Sequence, residues 1–354
     1  MKTIYIVTGG AGHLGGHVVR QLLGENKEVR ALVLPNESCL SFLENGKTEN
    51  FTQVTGNVLY PSSLMPLFET EVPAEFIVIH CAGIVTINKR FDRKVYNVNV
   101  KGTQNIVDLC MHQKVKRLVY VSSVHAIPLL PKDTVMKEIP SFDENKVEGF
   151  YAKTKAIASQ IVLDATKKGL DAVIVHPSGI IGPNGLLTGN MTQLISVYLK
   201  GRFKYAVKGG YDFVDVRDVA KGVISAAVMG KKGECYVLSN RYVSIKELFE
   251  LLAQISGQKR IKTYFPIWFA KMFAPFSELH CRIFKKTPLF TSYSMDTLRD
   301  NSLFTHEKAD RELLYTTTPL IDTLTDTIKW INNNDIRPTS KTKKTRRKLV
   351  KTAK

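Results

Sequence analysis

Thr8-Gly-Gly-Ala-Gly-His-Leu-Gly15 follows directly on the apolar run Ile4–Val7 and opens the amphipathic stretch His13–Leu23. Strand, glycine turn and helix in that order is the context in which such a turn binds a dinucleotide. Gly9 permits the tight turn, Gly12 lets backbone approach a pyrophosphate, and Gly15 lets helix and strand pack closely. The phosphate charge would sit on the first helical amides, which lack partners inside the helix. The turn therefore nominates Gly9, Gly12, His13, Leu14 and Gly15 for cofactor contact. His13 and His17 have no metal-ligand spacing with cysteine, so their rings read as structural. The rival reading is a glycine turn without a ligand.

Outward from this turn, short β-rich runs alternate with helical patterns. Ile4–Val7, Val29–Leu34, Phe51–Thr55, Phe76–His80, Leu118–Ser122 and Ala172–His176 read as strands. His13–Leu23, Ser62–Phe68, Asn99–His112 and Tyr151–Thr166 read as helices between them. Continuous apolar strands imply burial on both faces, hence a parallel sheet with crossover helices, a doubly wound α/β plan. After Pro177 the texture changes. Ser178–Gly189 reads as loop, Met191–Lys200 as helix, Phe213–Val216 as a strand entering a helix at Asp218–Met229, and Cys235–Leu238 as a last strand. Ser244, with Glu247 three residues on, predicts a capping box for a helix over Ile245–Ile255. Residues 1–178, completed by about 213–238, form the expected cofactor-binding core. Residues 179–212 and 239–335 form a smaller substrate lobe, and 336–354 a disordered basic tail.

Composition bounds the class. The 354 residues are 44% hydrophobic, enough for a large core. Five scattered cysteines without a CxxC pair suit reduced thiols and a cytoplasmic location better than a disulfide framework. No metal site is expected. The first residues do not resemble a signal peptide, and no run offers the ~20 apolar residues of a membrane span. The formal charge is +18, and nine Lys/Arg without an acid lie between Arg337 and Lys354. That tail reads either as a solubilising segment or as a weak contact to an anionic partner or membrane surface.

The reactive candidates are Ser123 and Tyr151-Ala-Lys-Thr-Lys155. Tyrosine and lysine four apart share a helix face. A phenol with a pKa near ~10 is a poor acid or base at neutral pH, and a neighbouring cation lowers that value. The pair suits proton transfer at a substrate hydroxyl. Taken singly, Ser123 reads as a strand-end serine and Tyr151 as a packing tyrosine.

The spacing TGxxGxxG resembles the extended short-chain dehydrogenase/reductases, the NAD-dependent epimerase/dehydratase superfamily with its Rossmann core. Gly56-Asn-Val58 is similar to the family's Gly-Asp-Val, with Asn57 replacing the acid that contacts adenine. His80-Cys-Ala-Gly83 resembles the turn lining the cofactor, and Asn97–Thr103 the helix whose asparagine, here Asn99, orients a proton-relay water. Val119–Ser123 resembles the strand ending in the catalytic serine. His176–Pro183 resembles Arg-Pro-x-x-x-x-Gly-Pro, with His176 replacing the arginine. The resemblance implies catalytic roles for Ser123, Tyr151, Lys155 and Asn99. It adds Asn57, Val58, Cys81, Ala82, Gly83, Tyr151, Lys155, Pro177, Ser178, Gly179 and Ile180 to the cofactor contacts. Val33–Asn36 supplies neither the acid that favours NAD nor the arginine that favours NADP, so either cofactor is compatible.

Dehydratases of the superfamily carry Thr-Asp-Glu where this chain has Ser123-Val-His125, which argues against dehydration. The aromatic stretch Tyr264–Phe276 places Trp268, Phe269, Met272, Phe273 and Phe276 at helical spacing. It reads as a helix packed on the substrate lobe, a lid over an apolar substrate, or an interfacial membrane helix with Lys271, Lys285 and Lys286 near headgroups. The second half, through Arg282–Pro288 and Asp322–Trp330, resembles the 3β-hydroxysteroid dehydrogenase and dihydroflavonol-reductase branch. The resemblance implies alcohol–ketone interconversion on a small hydrophobic, steroid-like substrate, and a homodimer. The alternatives are a nucleotide-sugar epimerase with tightly held NAD, and a non-catalytic NAD(P) sensor.

Overall fold

The structure, a computed structural model, describes residues 2–39, 49–87, 89–185, 189–272 and 292–334. Seven strands form one parallel sheet in the order β10-β6-β5-β4-β1-β2-β3. They are β1 (Lys2–Thr8), β2 (Glu28–Val33), β3 (Phe51–Thr55), β4 (Ala74–His80), β5 (Arg117–Val121), β6 (Ala172–Pro177) and β10 (Cys235–Leu238). Adjacent pairs register in parallel throughout, for instance Val7 opposite Ala31 and Ile79. Side chains alternate across the sheet. Tyr5, Val7, Ile79, Val119, Val121 and Val175 enter one core with helix α1 (His13–Gly24) and α6 (Val216–Met229). Ile4, Ile6, Val78, Leu118, Tyr120 and Ile174 enter a second with α3 (Gly102–His112) and α4 (Phe150–Lys167). The central strands therefore carry continuous apolar runs, such as Ile4–Val7, Ile77–Ile79 and Ala172–Val175, while the edge strand β3 is polar and partly exposed.

A third core joins α5 (Asn190–Leu199), β9 (Gly210–Asp215), α7 (Ile245–Ser256) and α11 (Leu320–Asn333) through Ile195, Phe213, Phe249 and Leu324. Around it lie two small sheets: β7 (Gly179–Ile181) beside β9 and β11 (Arg241–Ser244), and β8 (Tyr205–Val207) beside β12 (Thr263–Phe265). Further helical pieces are α2 (Arg93–Tyr96), α8 (described over 267–272), α9 (Ser292–Arg299) and α10 (Glu307–Leu313).

The fold class agrees with the sequence, and five local expectations change, the first being the loop read over Ser178–Gly189, which carries strand β7 at Gly179–Ile181. Cys235–Leu238 is not the last strand, since β11 and β12 follow it. Residues Pro61–Leu67 form a 3₁₀ rather than an α-helix, because Pro66 inside the segment has no amide to donate. Half of the capping box forms. Ser244 Oγ accepts the Glu247 amide at 3.1 Å, but the Glu247 carboxylate turns to Arg241 at 2.6 Å. The helix expected from Asn99 begins earlier, and Asn97–Lys101 is a π-helical turn between α2 and α3. Phe273, Phe276, Lys285, Lys286, the stretch 282–288 and the basic tail lie outside the described residues. Among the described residues no helix is long and apolar enough to cross a membrane.

Candidate active site

The glycine turn has the geometry that its sequence predicts. Gly9 has φ +70°, and the Gly12 amide donates to Gly9 O at 2.9 Å. A Cβ on Gly15 would stand 2.1 Å from Gly9 O, and one on Gly9 2.9 Å from Ala82 Cα. Gly12 precedes α1 without any side-chain cap, so the first amides of the helix remain available to an anion. His13 and His17 both turn their Nε2 atoms to Pro183 O, at 3.0 and 3.1 Å. Burial lowers both imidazoles, His13 to about 4 with help from His17, so each donates to that carbonyl as a neutral ring. The structural reading of these rings therefore holds. They tie the loop after β7 to the cofactor helix.

The turns after β1 and β4 are joined by a buried hydrogen-bond chain for which the sequence carries no motif. The Ala82 amide donates to Thr8 Oγ1 at 3.2 Å, which bonds His80 Nδ1 at 2.7 Å. His80 Nε2 meets Thr103 Oγ1 at 3.1 Å, and that hydroxyl donates to Asn99 O at 2.7 Å. Because Thr103 spends its one proton on Asn99, His80 must donate through Nε2 and accept from Thr8 through Nδ1. Burial holds His80 neutral, lowering it to about 3.

Asn99 sits in the π-helical turn, a feature frequent at functional sites. Its Oδ1 accepts the Ile84 amide at 2.8 Å, and its Nδ2 donates to Ile84 O at 3.0 Å and Thr154 Oγ1 at 3.1 Å. Thr154 in turn donates to Tyr151 O at 2.7 Å. The amide side chain thus clamps the turn after β4 to the start of α4. Gly83 lies between them: a Cβ there would be 3.4 Å from Asn99 Oδ1 and 3.9 Å from Lys155 Nζ.

Helix α4 buries Tyr151 and Lys155 together. Lys155 Nζ donates to Val121 O at 2.7 Å and lies 4.7 Å from the Tyr120 ring centroid. Among the described residues only one of its three protons has a protein acceptor, and burial pulls its pKa down to about 7. Ser123 lies two residues beyond β5 and is buried, and its Oγ accepts the His125 amide at 3.3 Å. His176, which stands where the family has arginine, donates from Nδ1 to Ser123 O at 3.0 Å. His125 packs its ring edge-on to Tyr151 with centroids 5.9 Å apart, and its Nε2 lies 3.0 Å from Tyr211 OH. Burial lowers His125 to about 4, so it is neutral where dehydratases carry an acid.

The remaining predicted residues form the rim. Pro177 pairs with Leu238, and Ser178 Oγ donates to buried Asp212 at 2.5 Å. Gly179 lies against Asp212 O and Ile180 opposite Val214. Asn57 spends its Oδ1 on the Leu59 amide at 2.9 Å, and Val58 O accepts Asn105 Nδ2 at 2.8 Å. Cys81 keeps a protonated thiol, pushed up by burial to about 12. Among the described residues no His/Cys/Asp/Glu group could hold a metal ion. Thr8, His80, Thr103 and Thr154 lie inside the quoted motifs, but motif reading assigns them no role there, and Tyr211 and Asp212 lie outside every motif. Thr103 is one helical step, four residues, from Asn99, and that spacing is the only local sign of it.

A cavity of about 620 Å³ opens beside these groups. Val124 and His125, next to Ser123, and Gly149 and Phe150, next to Tyr151, are among its lining residues. Ile127, Leu129, Val147 and Phe304 add apolar wall, while Glu148, Asp296, Asp300, Lys89 and Lys153 add charge. Trp268 and Met272 do not line it. The cradle at Gly9, Gly12 and Gly15 and the spare donors of Lys155 fit the two ends of a dinucleotide.

Comparison with known proteins agrees. The chain is 27% identical to sterol demethylase protein B of Methylococcus capsulatus, over 92% of this chain and 97% of that one. It is 26% identical to 3 beta-hydroxysteroid dehydrogenase type 7 of Mus musculus, over 93% and 95%. The solved structure of gox2253 superposes with a TM-score of 0.78 at 28% identity, covering 95% of this chain and 99% of that one. The NAD dependent epimerase/dehydratase family matches residues 5–239, the span that holds every glycine and reactive side chain described above. The chain is therefore an NAD-dependent enzyme acting at CH–OH groups, and it belongs to the NAD dependent epimerase/dehydratase family.

Proposed function

We propose that this enzyme interconverts a secondary alcohol and a ketone on a hydrophobic, sterol-like ring substrate, with Tyr151 as general acid/base. The observation that carries the reading is the buried Lys155 ammonium, four residues beyond Tyr151, with two donors unspent and no counter-ion among the described residues. A cation so placed stabilises a phenolate and binds ribose hydroxyls. NAD, when bound, supplies the hydride acceptor or donor. Gly9, Gly12, His13, Leu14 and Gly15 would hold its pyrophosphate, and Asn57, Val58 and Cys81–Gly83 the flank of its adenosine half. Pro177–Ile180 would border its nicotinamide. In the oxidation direction Tyr151 takes the hydroxyl proton. Ser123 accepts from the His125 amide and keeps its own proton for the reacting oxygen, stabilising charge there. Asn99 acts through Thr154 on the Tyr151 backbone and is a positioning residue. Residues 1–178 with about 213–238 hold the cofactor, and 179–212 with 239–335 shape the substrate side.

The names of the relatives, sterol demethylase protein B and 3 beta-hydroxysteroid dehydrogenase type 7, support a sterol-type substrate. The cavity supports it as well. Its apolar wall of Val124, Ile127, Leu129, Val147 and Phe304 suits fused rings, and Glu148 and Asp300 would disfavour the diphosphate of a nucleotide sugar. Lys89 is already paired with Asp296 at 2.7 Å. The test is a panel of hydroxysterols and ketosterols with NAD or NADP, followed at the reduced-nicotinamide absorbance. Turnover on sterol alcohols is expected. NAD retained through dialysis, with epimerised nucleotide sugar as the only product, would overturn the reading.

A further inference from the structure

We propose that the outer face of the β8–β12 ribbon, together with α8, docks this protein on an anionic phospholipid bilayer. The ribbon pairs Tyr205 with Thr263 and Val207 with Phe265. On that face four aromatic rings run in a row. Tyr205 meets Phe265 at 5.6 Å, Phe265 stacks on Phe269 at 5.1 Å, and Phe269 meets Trp268 edge-on at 5.8 Å. Both ends of the row are in solvent: Tyr205 is 57% and Trp268 67% exposed, and Met272, one turn beyond Trp268, is 60% exposed. Tyrosine and tryptophan at a surface, with an apolar body and a polar edge, suit the bilayer interface.

The charge in the two segments that carry the row has one sign, with Glu250 near Tyr264 and Asp296 at Lys271 contributed by other elements. Arg202, Lys204 and Lys208 bracket β8, and Lys259, Arg260 and Lys262 precede β12. All six are exposed, and neither 200–211 nor 257–272 contains an Asp or Glu apart from Asp212 just beyond, which is buried. None of the six forms an ion pair among the described residues, although ion pairs are common elsewhere on the surface, as at Lys116–Glu75 and Lys308–Glu234. Lys204 and Lys262 immediately precede the paired residues Tyr205 and Thr263, so like charges stand side by side on neighbouring strands. That arrangement is unfavourable in isolation and favourable against phosphate headgroups. A nucleic-acid groove would use the cations but has no use for an exposed Met272 beside Trp268.

The face also adjoins the substrate cavity. Lys271, on α8 between Trp268 and Met272, pairs with Asp296, a residue of the cavity wall. A sterol-like substrate leaving the bilayer would meet that wall first. This last step rests on the proposed substrate class, whereas the docking surface itself does not.

The experiment uses the full chain, which has two tryptophans, Trp268 and Trp330. Trp330→Phe leaves Trp268 as the sole reporter. With vesicles of equimolar phosphatidylcholine and phosphatidylserine, its emission should shift to the blue and be quenched by brominated acyl chains. Phosphatidylcholine alone should give neither change. The triple variant Lys204→Glu/Arg260→Glu/Lys262→Glu should bind those vesicles at least ~100-fold more weakly, at about fivefold per cation lost, and high salt should do the same to the parent. NAD binding by the triple variant checks that it is folded. Should it fail to fold, the Trp268 emission of the Trp330→Phe chain decides alone. Unchanged Trp268 emission on anionic vesicles would overturn the proposal. So would vesicle binding insensitive to the triple variant, or retention on duplex DNA without any response to vesicles.

Discussion

Replacing Lys155 by methionine should make the ligand-free protein more stable near pH 6 while abolishing turnover. The ammonium is 5% exposed, has one hydrogen bond, to Val121 O, and faces no carboxylate. Burial takes its pKa from 10.5 to about 7. At ~1.4 kcal/mol per unit, keeping it charged in the folded state costs at most about 5 kcal/mol. Methionine is apolar and of similar length, so it escapes that cost. Its loss of the Val121 contact returns about 1–3 kcal/mol. The net expectation is a gain of roughly 2–4 kcal/mol at pH 6. The pH dependence carries the sign. Between about 7 and 10.5 the unfolded chain binds the proton and the folded chain does not, so wild-type stability rises with pH across that window. The gap between variant and wild type should be widest below pH 7 and close towards pH 10. Urea unfolding of both proteins at pH 6, 8 and 10 measures it, and taking the difference cancels the other titrations. A variant less stable than wild type at pH 6, or a gap independent of pH, would refute the reasoning. A stability gain paired with lost catalysis is what a group strained for function should show.

Tyr151→Phe removes one hydroxyl and should lower turnover ~10²-fold or more while the dissociation constant for NAD, measured by calorimetry, changes little. Gly15→Ala places a methyl group 2.1 Å from Gly9 O, so the turn must open; loss of NAD binding by the same measurement is expected. Thr103→Val keeps the shape but leaves the His80 Nε2 proton without an acceptor. It should destabilise the fold by about 1–3 kcal/mol in urea unfolding and lower turnover through Asn99.

The central strands of the main sheet were legible because both faces are buried, which makes Ala172–Val175 and Leu118–Val121 continuous apolar or aromatic runs. Strands β7, β8, β11 and β12 were not. They are three or four residues long, and their partners lie far along the chain, as Tyr205 and Thr263 do. The π-helical turn at Asn97–Lys101 leaves no periodic trace in five residues. Trp268 and Met272 had the spacing of a buried stripe, yet both face solvent and neither lines the cavity of about 620 Å³, while Ile267 and Ala270 provide inward contacts of α8.

The same division holds at the reacting centre. The sequence alone determined the glycine cradle, the Tyr151–Lys155 pair and Ser123, because strand–turn–helix order and a four-residue helical step are local and fix which groups can act together. Only the tertiary structure decided how those groups are charged and held. The depressed Lys155, the neutral His125 against Tyr151 and Tyr211, and the chain from Ala82 through Thr8, His80 and Thr103 to Asn99 depend on burial and on hydrogen bonds between distant segments. Desolvation is a property of the surrounding fold, and no spacing within the chain encodes it.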